Sequence, residues 1–220
     1  YENNGSENFV ERVISTDADG AQDVYAADVD SDGDVDVLSA SYEDDKIAWY
    51  ENDGEESFTA HVITTVADGA ETVVAIDVDG DGDTDVISAS SQDNTIAWYE
   101  NDGGQNFTER VISTSVDDAR DVFPIDVDGD GDIDVATASL ADDTIAWYEN
   151  DGSQGFTQRV ISTNADFVRG VFAADVDSDG DIDVLSASRD DDKVAWYENT
   201  PSLDFIEVAR DGTGGVDGLV

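Results

Sequence analysis

The chain has 220 residues, with 55 Asp and Glu against nine Lys and Arg, and a formal net charge of −46. Such acidity excludes nucleic acid as a direct partner, because phosphate contacts need Lys and Arg, and it opposes close self-association unless cations intervene. The absence of Cys removes disulfides and thiol chemistry, no apolar run reaches membrane length, so no membrane insertion is expected, and a start at Tyr1 in mid-repeat reads as a processed or partial chain, so a missing leader does not argue against secretion.

Residues 1–15 open the chain with Tyr-Glu-Asn, then Phe9 and Val13-Ile14. This is the pattern of an outer strand with no partner strands before it. Residues 23–27 form a first short β-like run, leading into an acidic loop. A second run, 35–41, is rich in small and β-branched residues. The third is 46–51, and the fourth, 57–63, follows an Asn-Asp-Gly turn at 52–54. The series returns every 49 residues. Trp49, Trp98, Trp147 and Trp196 form one column. Tyr1, Tyr50, Tyr99, Tyr148 and Tyr197 form another, and Phe9, Phe58, Phe107, Phe156 and Phe205 a third. Aromatic columns at a fixed period are assigned to packing.

No window shows a helical apolar period. The alternation has period two, and the second run is apolar or small on both faces, as suits a strand covered on both sides. Four short strands per repeat of this length describe a propeller blade. The expected fold is therefore all-β: a β-propeller-type repeat protein with four 49-residue four-stranded blades plus a spare outer strand. One domain would span 1–210, in repeats of about 1–49, 50–98, 99–147, 148–196 and a partial 197–210, followed by a Gly-rich tail at 211–220. The spare segment 1–15 is expected to pair with the last blade of its own ring or with a neighbouring molecule, since an open edge exposes backbone groups.

The acidic loop supplies Asp28, Asp30, Asp32, Asp34 and Asp36. It recurs as Asp77, Asp79, Asp81, Asp83 and Asp85, as Asp126, Asp128, Asp130, Asp132 and Asp134, and as Asp175, Asp177, Asp179, Asp181 and Asp183. Every copy reads D-x-D-x-D-G-D-x-D. So many carboxylates repel one another unless a cation sits among them. All-oxygen donors favour a hard cation, and calcium tolerates mixed carboxylates and carbonyls better than magnesium does. Acids at positions 1, 3 and 5 converge if the chain curls, the Gly at position 6 allows the turn, position 7 offers its carbonyl, and the Asp at position 9 closes the shell. An EF-hand would need Glu at position 12, where Ser39, Ser88, Thr137 and Ser186 stand. The expectation is one calcium per repeat, four in all.

The four D-x-D-x-D-G-x-x-D loops, the following V-[LI]-S-A-S or V-A-T-A-S run, and I/V-A-W-Y-E-N together resemble FG-GAP/VCBS repeats, the kind that build the calcium-bearing propeller of integrin α-subunits. The resemblance extends to about Phe205. It implies calcium between a blade's first and second strands, and extracellular adhesion or binding. It implies no single activity, since such propellers are also appended to secreted enzymes. Family propellers usually have seven blades. Here the first three strands occur four times and the Tyr-Glu-Asn…Phe segment five times, so the chain reads as a piece of a longer propeller, a four-bladed ring with a redundant strand, or a strand-exchanging unit.

His61 shares a column with Arg12, Arg110 and Arg159, so it reads as a variable strand position. No nucleophile–His pairing is evident, and no enzyme is expected. Two connections expected on the face away from the metal loops vary most. One carries Gln22, Glu71, Arg120 and Arg169, and Tyr25, Val74, Phe123 and Phe172. The other runs over 42–46 and its copies at 91–95, 140–144 and 189–193. Asn4 and Asn106 stand in glycosylation sequons. The function expected is an extracellular, secreted or cell-surface, calcium-binding structural or adhesive repeat protein contacting proteins or glycans. The alternatives are a subunit of a head-to-tail fibre or surface layer joined through terminal strands as a homo-polymer, and a non-catalytic accessory domain of a secreted polysaccharide-active enzyme.

Overall fold

β-Branched residues at alternating positions, interrupted by Gly, Asp and Asn turns, leave the chain no option but short strands. The computed structural model describes residues 2–3, 9–200 and 205–208, and every regular element among them is a strand. β1 (Glu2–Asn3) and β2 (Phe9–Val10) pair with each other. Four antiparallel four-stranded meanders follow. The first contains β3 (Ala21–Ala27), β4 (Asp36–Ser41), β5 (Lys46–Asn52) and β6 (Phe58–Thr64), and the second β7 (Ala70–Ile76), β8 (Asp85–Ser90), β9 (Thr95–Asn101) and β10 (Phe107–Ser113). The third contains β11 (Ala119–Ile125), β12 (Asp134–Ser139), β13 (Thr144–Asn150) and β14 (Phe156–Ser162), and the fourth β15 (Val168–Ala174), β16 (Asp183–Ser188), β17 (Lys193–Glu198) and β18 (Ile206–Glu207). The register repeats from sheet to sheet: Leu38 lies opposite Trp49, Ile87 opposite Trp98, and Leu185 opposite Trp196. Among the described residues, no helix is long and apolar enough to cross a membrane.

The sheets stack face to face. Leu38, Ala40, Ile47 and Trp49 of the first sheet pack against Val73, Ala75, Val86, Ala97 and Tyr99 of the second. The second and third sheets repeat this with Ile87, Ala89, Ile96 and Trp98 against Val122, Val135 and Tyr148. The third and fourth repeat it with Ala136, Ala138, Ile145 and Trp147 against Val171, Ala173, Val184, Ala195 and Tyr197. Burying each large apolar side chain contributes about 1.5–3 kcal/mol, so these seams are the core. The second strands β8 and β12 are buried at every residue, as expected of strands covered on both faces.

The first strands β3, β7, β11 and β15 are neighbours in that order. Hydrogen bonds stitch them: Val73 N–H donates to Asp23 Oδ2 at 3.1 Å, Thr72 Oγ1 donates to the Arg120 carbonyl at 2.7 Å, and Val171 N–H donates to Asp121 Oδ2 at 2.9 Å. The sheets form an open row: among the described residues, β15 makes no such packing contact back to β3.

The spare segment differs from expectation. The last sheet is completed by its own β18, with Glu207 opposite Tyr197 and Ile206 opposite Glu198. The Phe9–Val10 strand instead pairs locally, Asn3 opposite Phe9 and Glu2 opposite Val10. Asn52 faces Phe58 and Glu51 faces Thr59 in the same way. β1 and β2 thus pair in the register that the third and outer strands of the other sheets use. The tail at 211–220 lies outside the described residues.

Candidate metal centre

Each acidic loop links the first and second strands of its sheet and is held open by its own backbone. In the second loop, Asp77 accepts N–H bonds from Gly80 at 2.8 Å and Gly82 at 3.0 Å, and Asp81 accepts one from Asp83 at 2.9 Å. The third loop repeats them: Gly129 and Gly131 donate to Asp126, and Asp132 to Asp130. The curl requires left-handed backbone at position 6, where Gly33, Gly82, Gly131 and Gly180 have φ of 98°, 97°, 101° and 102°. Position 4 is left-handed as well, and there Ser31 and Ser178 take φ of 62° and 69°. Gly80 and Gly129 hold the same position in the other two loops, with φ of 75° and 77°.

The ninth Asp does more than close a shell. Asp36, Asp85, Asp134 and Asp183 are wholly buried. One oxygen of each accepts the N–H of the loop's second residue, from Val29, Val78, Val127 or Val176 at 2.9–3.0 Å. The other accepts the N–H of Asn52, Asn101, Asn150 or Asn199 at 2.8 Å. The carboxylate therefore braces the loop against the end of the third strand. Links also run between sheets: Thr84 Oγ1 donates to the Asp28 carbonyl at 3.1 Å, and Asn101 Nδ2 to the Val29 carbonyl at 3.4 Å.

Carboxylate oxygens converge to within 4.8 Å of one another in every loop: Asp28, Asp30 and Asp32 in the first, Asp77, Asp79 and Asp85 in the second, Asp126, Asp128 and Asp134 in the third, Asp175, Asp177 and Asp183 in the fourth. Positions 1 and 3 thus meet in all four, joined by position 5 in the first loop and by position 9 in the others. Asp36, Asp81, Asp130 and Asp179 lie in the loops outside these trios. The seventh side chains, Asp34, Asp83 and Asp132, turn onto the Asn-Asp-Gly turn: a Cβ at Gly54, Gly103 or Gly152 would lie 2.4–2.5 Å from their oxygens. Asp181 is the seventh residue of the fourth loop.

Burial without a counter-charge pushes Asp85 up to about 6 and Asp134 to about 7, against the backbone donors that favour their ionised forms. Burial, reinforced by neighbouring carboxylates, also raises Asp30, Asp79 and Asp128. The ion pairs of Lys46, His61, Arg110, Arg120, Arg159, Arg189 and Lys193 all go to carboxylates outside the loops. The loops thus offer clustered hard oxygens, and the ion pairs given above place no cation among them, a donor set that fits a divalent hard ion. The first and third Asp of each loop would hold it, with the fifth or ninth. Such an ion would supply charge neutralisation there.

Each 49-residue unit therefore joins an acidic loop, two buried strands and the next loop into one repeating structure. The sequence matches the FG-GAP-like repeat family over 28–88, 77–137 and 126–186, each match running from one acidic loop through the next. The chain belongs to this family. The FG-GAP chain finds no match among curated proteins. Its fold is similar to a periplasmic gluconolactonase of Pseudomonas aeruginosa (TM-score 0.60, 14% identity, 91% of this chain and 56% of that one). It is also similar to a candidate 6-phosphogluconolactonase of Bacteroides fragilis (0.58, 15%, 85% and 53%). A third likeness is to an exo-β-1,3-galactanase of Phanerochaete chrysosporium (0.50, 10%, 82% and 46%). At these identities the likeness shows the fold. The chain spans about half the length of the structures it matches. These neighbours correct the expectation that the FG-GAP chain is no enzyme: its architecture is shared with lactonases and a galactanase, so the want of a nucleophile–His pair does not exclude catalysis.

The variable connections meet at the sheet ends away from the loops, where the N–H of Tyr42, Ser91, Leu140 and Arg189 donates to the carbonyl of Gly20, Gly69, Asp118 and Phe167. In the fourth sheet the Phe167 ring has the Arg189 guanidinium 3.7 Å from its centroid and that of Arg169 at 5.2 Å. The Phe123 and Phe172 rings of neighbouring first strands meet tilted, their centroids 4.3 Å apart. Arg120 instead bridges Glu71 and Asp118. His61 stacks on Trp49 at 4.6 Å and pairs with Glu51 at 2.8 Å, as a strand-surface residue does. Of the sequons, Asn106 is exposed and bonded to Asp102 at 3.0 Å, and Asn4 lies outside the described residues.

Proposed function

We infer that this FG-GAP chain is a calcium-stabilised propeller-type scaffold acting outside the cell, which binds a protein or glycan partner. The observation that supports it is the repeated convergence of three carboxylates per loop, four times over. Calcium suits the curled, mixed-oxygen loop better than magnesium, which demands a small octahedron. With the ions seated, the loops become rigid corners, and the varied connections at the opposite ends of the sheets carry the partner contact. Phe167, Arg169 and Arg189 are the groups there with the chemistry for an acidic partner. Titration calorimetry on chelator-treated protein tests the reading: uptake near four calcium ions per chain, with magnesium binding far more weakly, is expected. No uptake, or equal affinity for both ions, would refute it.

A further inference from the structure

We propose that Gln154 is a metal ligand supplied by the neighbouring sheet: its amide oxygen joins the ion held by the second acidic loop, and Gln105 does the same for the first. The proposal deepens the calcium reading above and rests on it. It adds a residue from outside the loop to each of these two centres, and it makes the ion a clamp across the seam.

The observation is a contact between sheets. Gln154 stands in the turn between β13 and β14 of the third sheet, yet its Nε2 lies 3.5 Å from Oδ2 of Asp79, the third residue of the second loop. As a hydrogen bond that is long and weak. As a spacing between two ligands of one cation it is ordinary, because calcium–oxygen bonds of roughly 2.3–2.6 Å leave neighbouring ligand atoms about 3–4 Å apart. The oxygen that Gln154 meets is the one suited to a cation. Oδ1 of Asp79 accepts the Asp81 N–H at 3.3 Å, so Oδ2 is turned out of the loop's own bonding, and Asp79 is one of the three acids that converge. An amide exchanges nitrogen for oxygen by a half-turn of its end group. Nε2 therefore serves a bare carboxylate, and Oε1 serves a cation bound to it.

The surroundings have room for an ion and its water. A cleft of about 410 Å³ lies between the second loop and the third sheet's turn, lined by Asp79, Asp81, Asp132, Asn150 and Gln154 among others. Nδ2 of Asn150 is committed to the Ile133 carbonyl at 3.2 Å and its Oδ1 to the Gly152 N–H at 3.2 Å, which leaves Gln154 as the neutral amide able to turn. Calcium takes six to eight oxygens, so three converging carboxylates leave places for others.

The backbone fixes where the amide starts. Gln154 has φ of 65° and Gln105 has φ of 58°, a region uncommon for residues other than glycine. The Asp151 carboxylate braces the turn by accepting the N–H of Ser153 at 2.9 Å and of Gly155 at 3.0 Å. Asp102 braces the turn of Gln105 in the same way, through Gly104 and Asn106. Gln105 follows Asp30 by 75 residues, the separation of Gln154 from Asp79. The place 75 residues after Asp128 holds Leu203, which has no side-chain oxygen. The third loop is thus a natural control for the first two.

Calcium titration calorimetry on the full 220-residue chain tests this, together with scanning calorimetry in calcium and in chelator. Gln154→Ala should weaken one calcium at least ten-fold and leave the others unchanged. Gln154→Glu, which keeps an oxygen at that place, should hold that ion at least as tightly as the wild type. Gln105→Ala should weaken a different calcium, so that the double variant has two weakened ions. In chelator the melting temperature of Gln154→Ala should match the wild type, because only a long surface hydrogen bond is lost. Crystals of the calcium form should show Oε1 of Gln154 bonded to the ion beside Asp79. Unchanged uptake in Gln154→Ala, or an amide turned away from the ion, would overturn the proposal and leave the calcium reading standing. A loss of stability as large in chelator as in calcium would also overturn it, by making Gln154 a packing residue. No calcium uptake by the wild type would refute the calcium reading and this proposal with it.

Discussion

The N–H of Asn101 donates to the buried carboxylate of Asp85 at 2.8 Å, while the other oxygen of Asp85 holds the N–H of Val78 at 3.0 Å. One side chain so ties the loop, the second strand and the end of the third strand together. Asp85→Ala orphans two buried donors, each costing about 1–3 kcal/mol. The expected loss is about 2–6 kcal/mol in urea denaturation, even in chelator. Asp83→Ala, at the seventh position, should cost under about 1 kcal/mol. Equal losses would show that Asp85 acts only through an ion.

Chelation should lower the melting temperature. An ion that binds the folded state alone stabilises it by about 2.7 kcal/mol per site at a hundred-fold excess over Kd. Differential scanning calorimetry with calcium and with chelator reads this directly, and coincident melting curves would contradict it.

Gly82 has φ of 97° and nothing within 4 Å of where a Cβ would stand. The cost of Gly82→Ala is therefore backbone strain alone, about 1–3 kcal/mol. At position 4 the reverse holds: Ser178→Gly relieves a left-handed serine and should be neutral or stabilising by up to about 1 kcal/mol. Thermal melts of the two variants should move in opposite directions.

Asp121 is pushed up to about 6, mainly by burial and with a contribution from Asp23. Its folded value lies above its unfolded value, so the native state holds the proton more tightly. The stabilising contribution of the protonated form is complete below about pH 4 and is lost as pH rises through about 6. Relative to Asp121→Asn, the wild type should lose up to about 3 kcal/mol across that window. Parallel stability–pH curves for the two proteins would refute the assignment.

Phe167 has φ of 57° in the column where Gly20 and Gly69 have 66° and 69°. An aromatic residue pays strain there that glycine does not. Phe→Ala in a core costs about 3–5 kcal/mol, but Phe167→Gly should stay within about 1 kcal/mol of wild type by denaturation while weakening binding of an acidic partner. A loss of core size would mark Phe167 as packing.

Much of this molecule was legible because it repeats. The period placed the strands to within about two residues, and the nine-residue acidic motif located the loops. What stayed hidden depends on what each residue meets. Val24 and Val73 occupy one column, yet one is exposed and the other buried, because only Val73 has a sheet in front of it. The bracing role of Asp36 and its copies was hidden because its donor at Asn52 is sixteen residues away. The left-handed turns at Ser31 and Phe167 show only in their columns, where other copies hold Gly80 and Gly129, and Gly20 and Gly69.

The Thr84 and Asn101 side chains anchor in the backbone of the preceding sheet's loop. A loop that stiffens around an ion therefore stiffens the seam beside it. Were the loops to take up calcium as proposed, the stiffness of each seam would follow the ion's concentration, since the loop and the seam share these bonds.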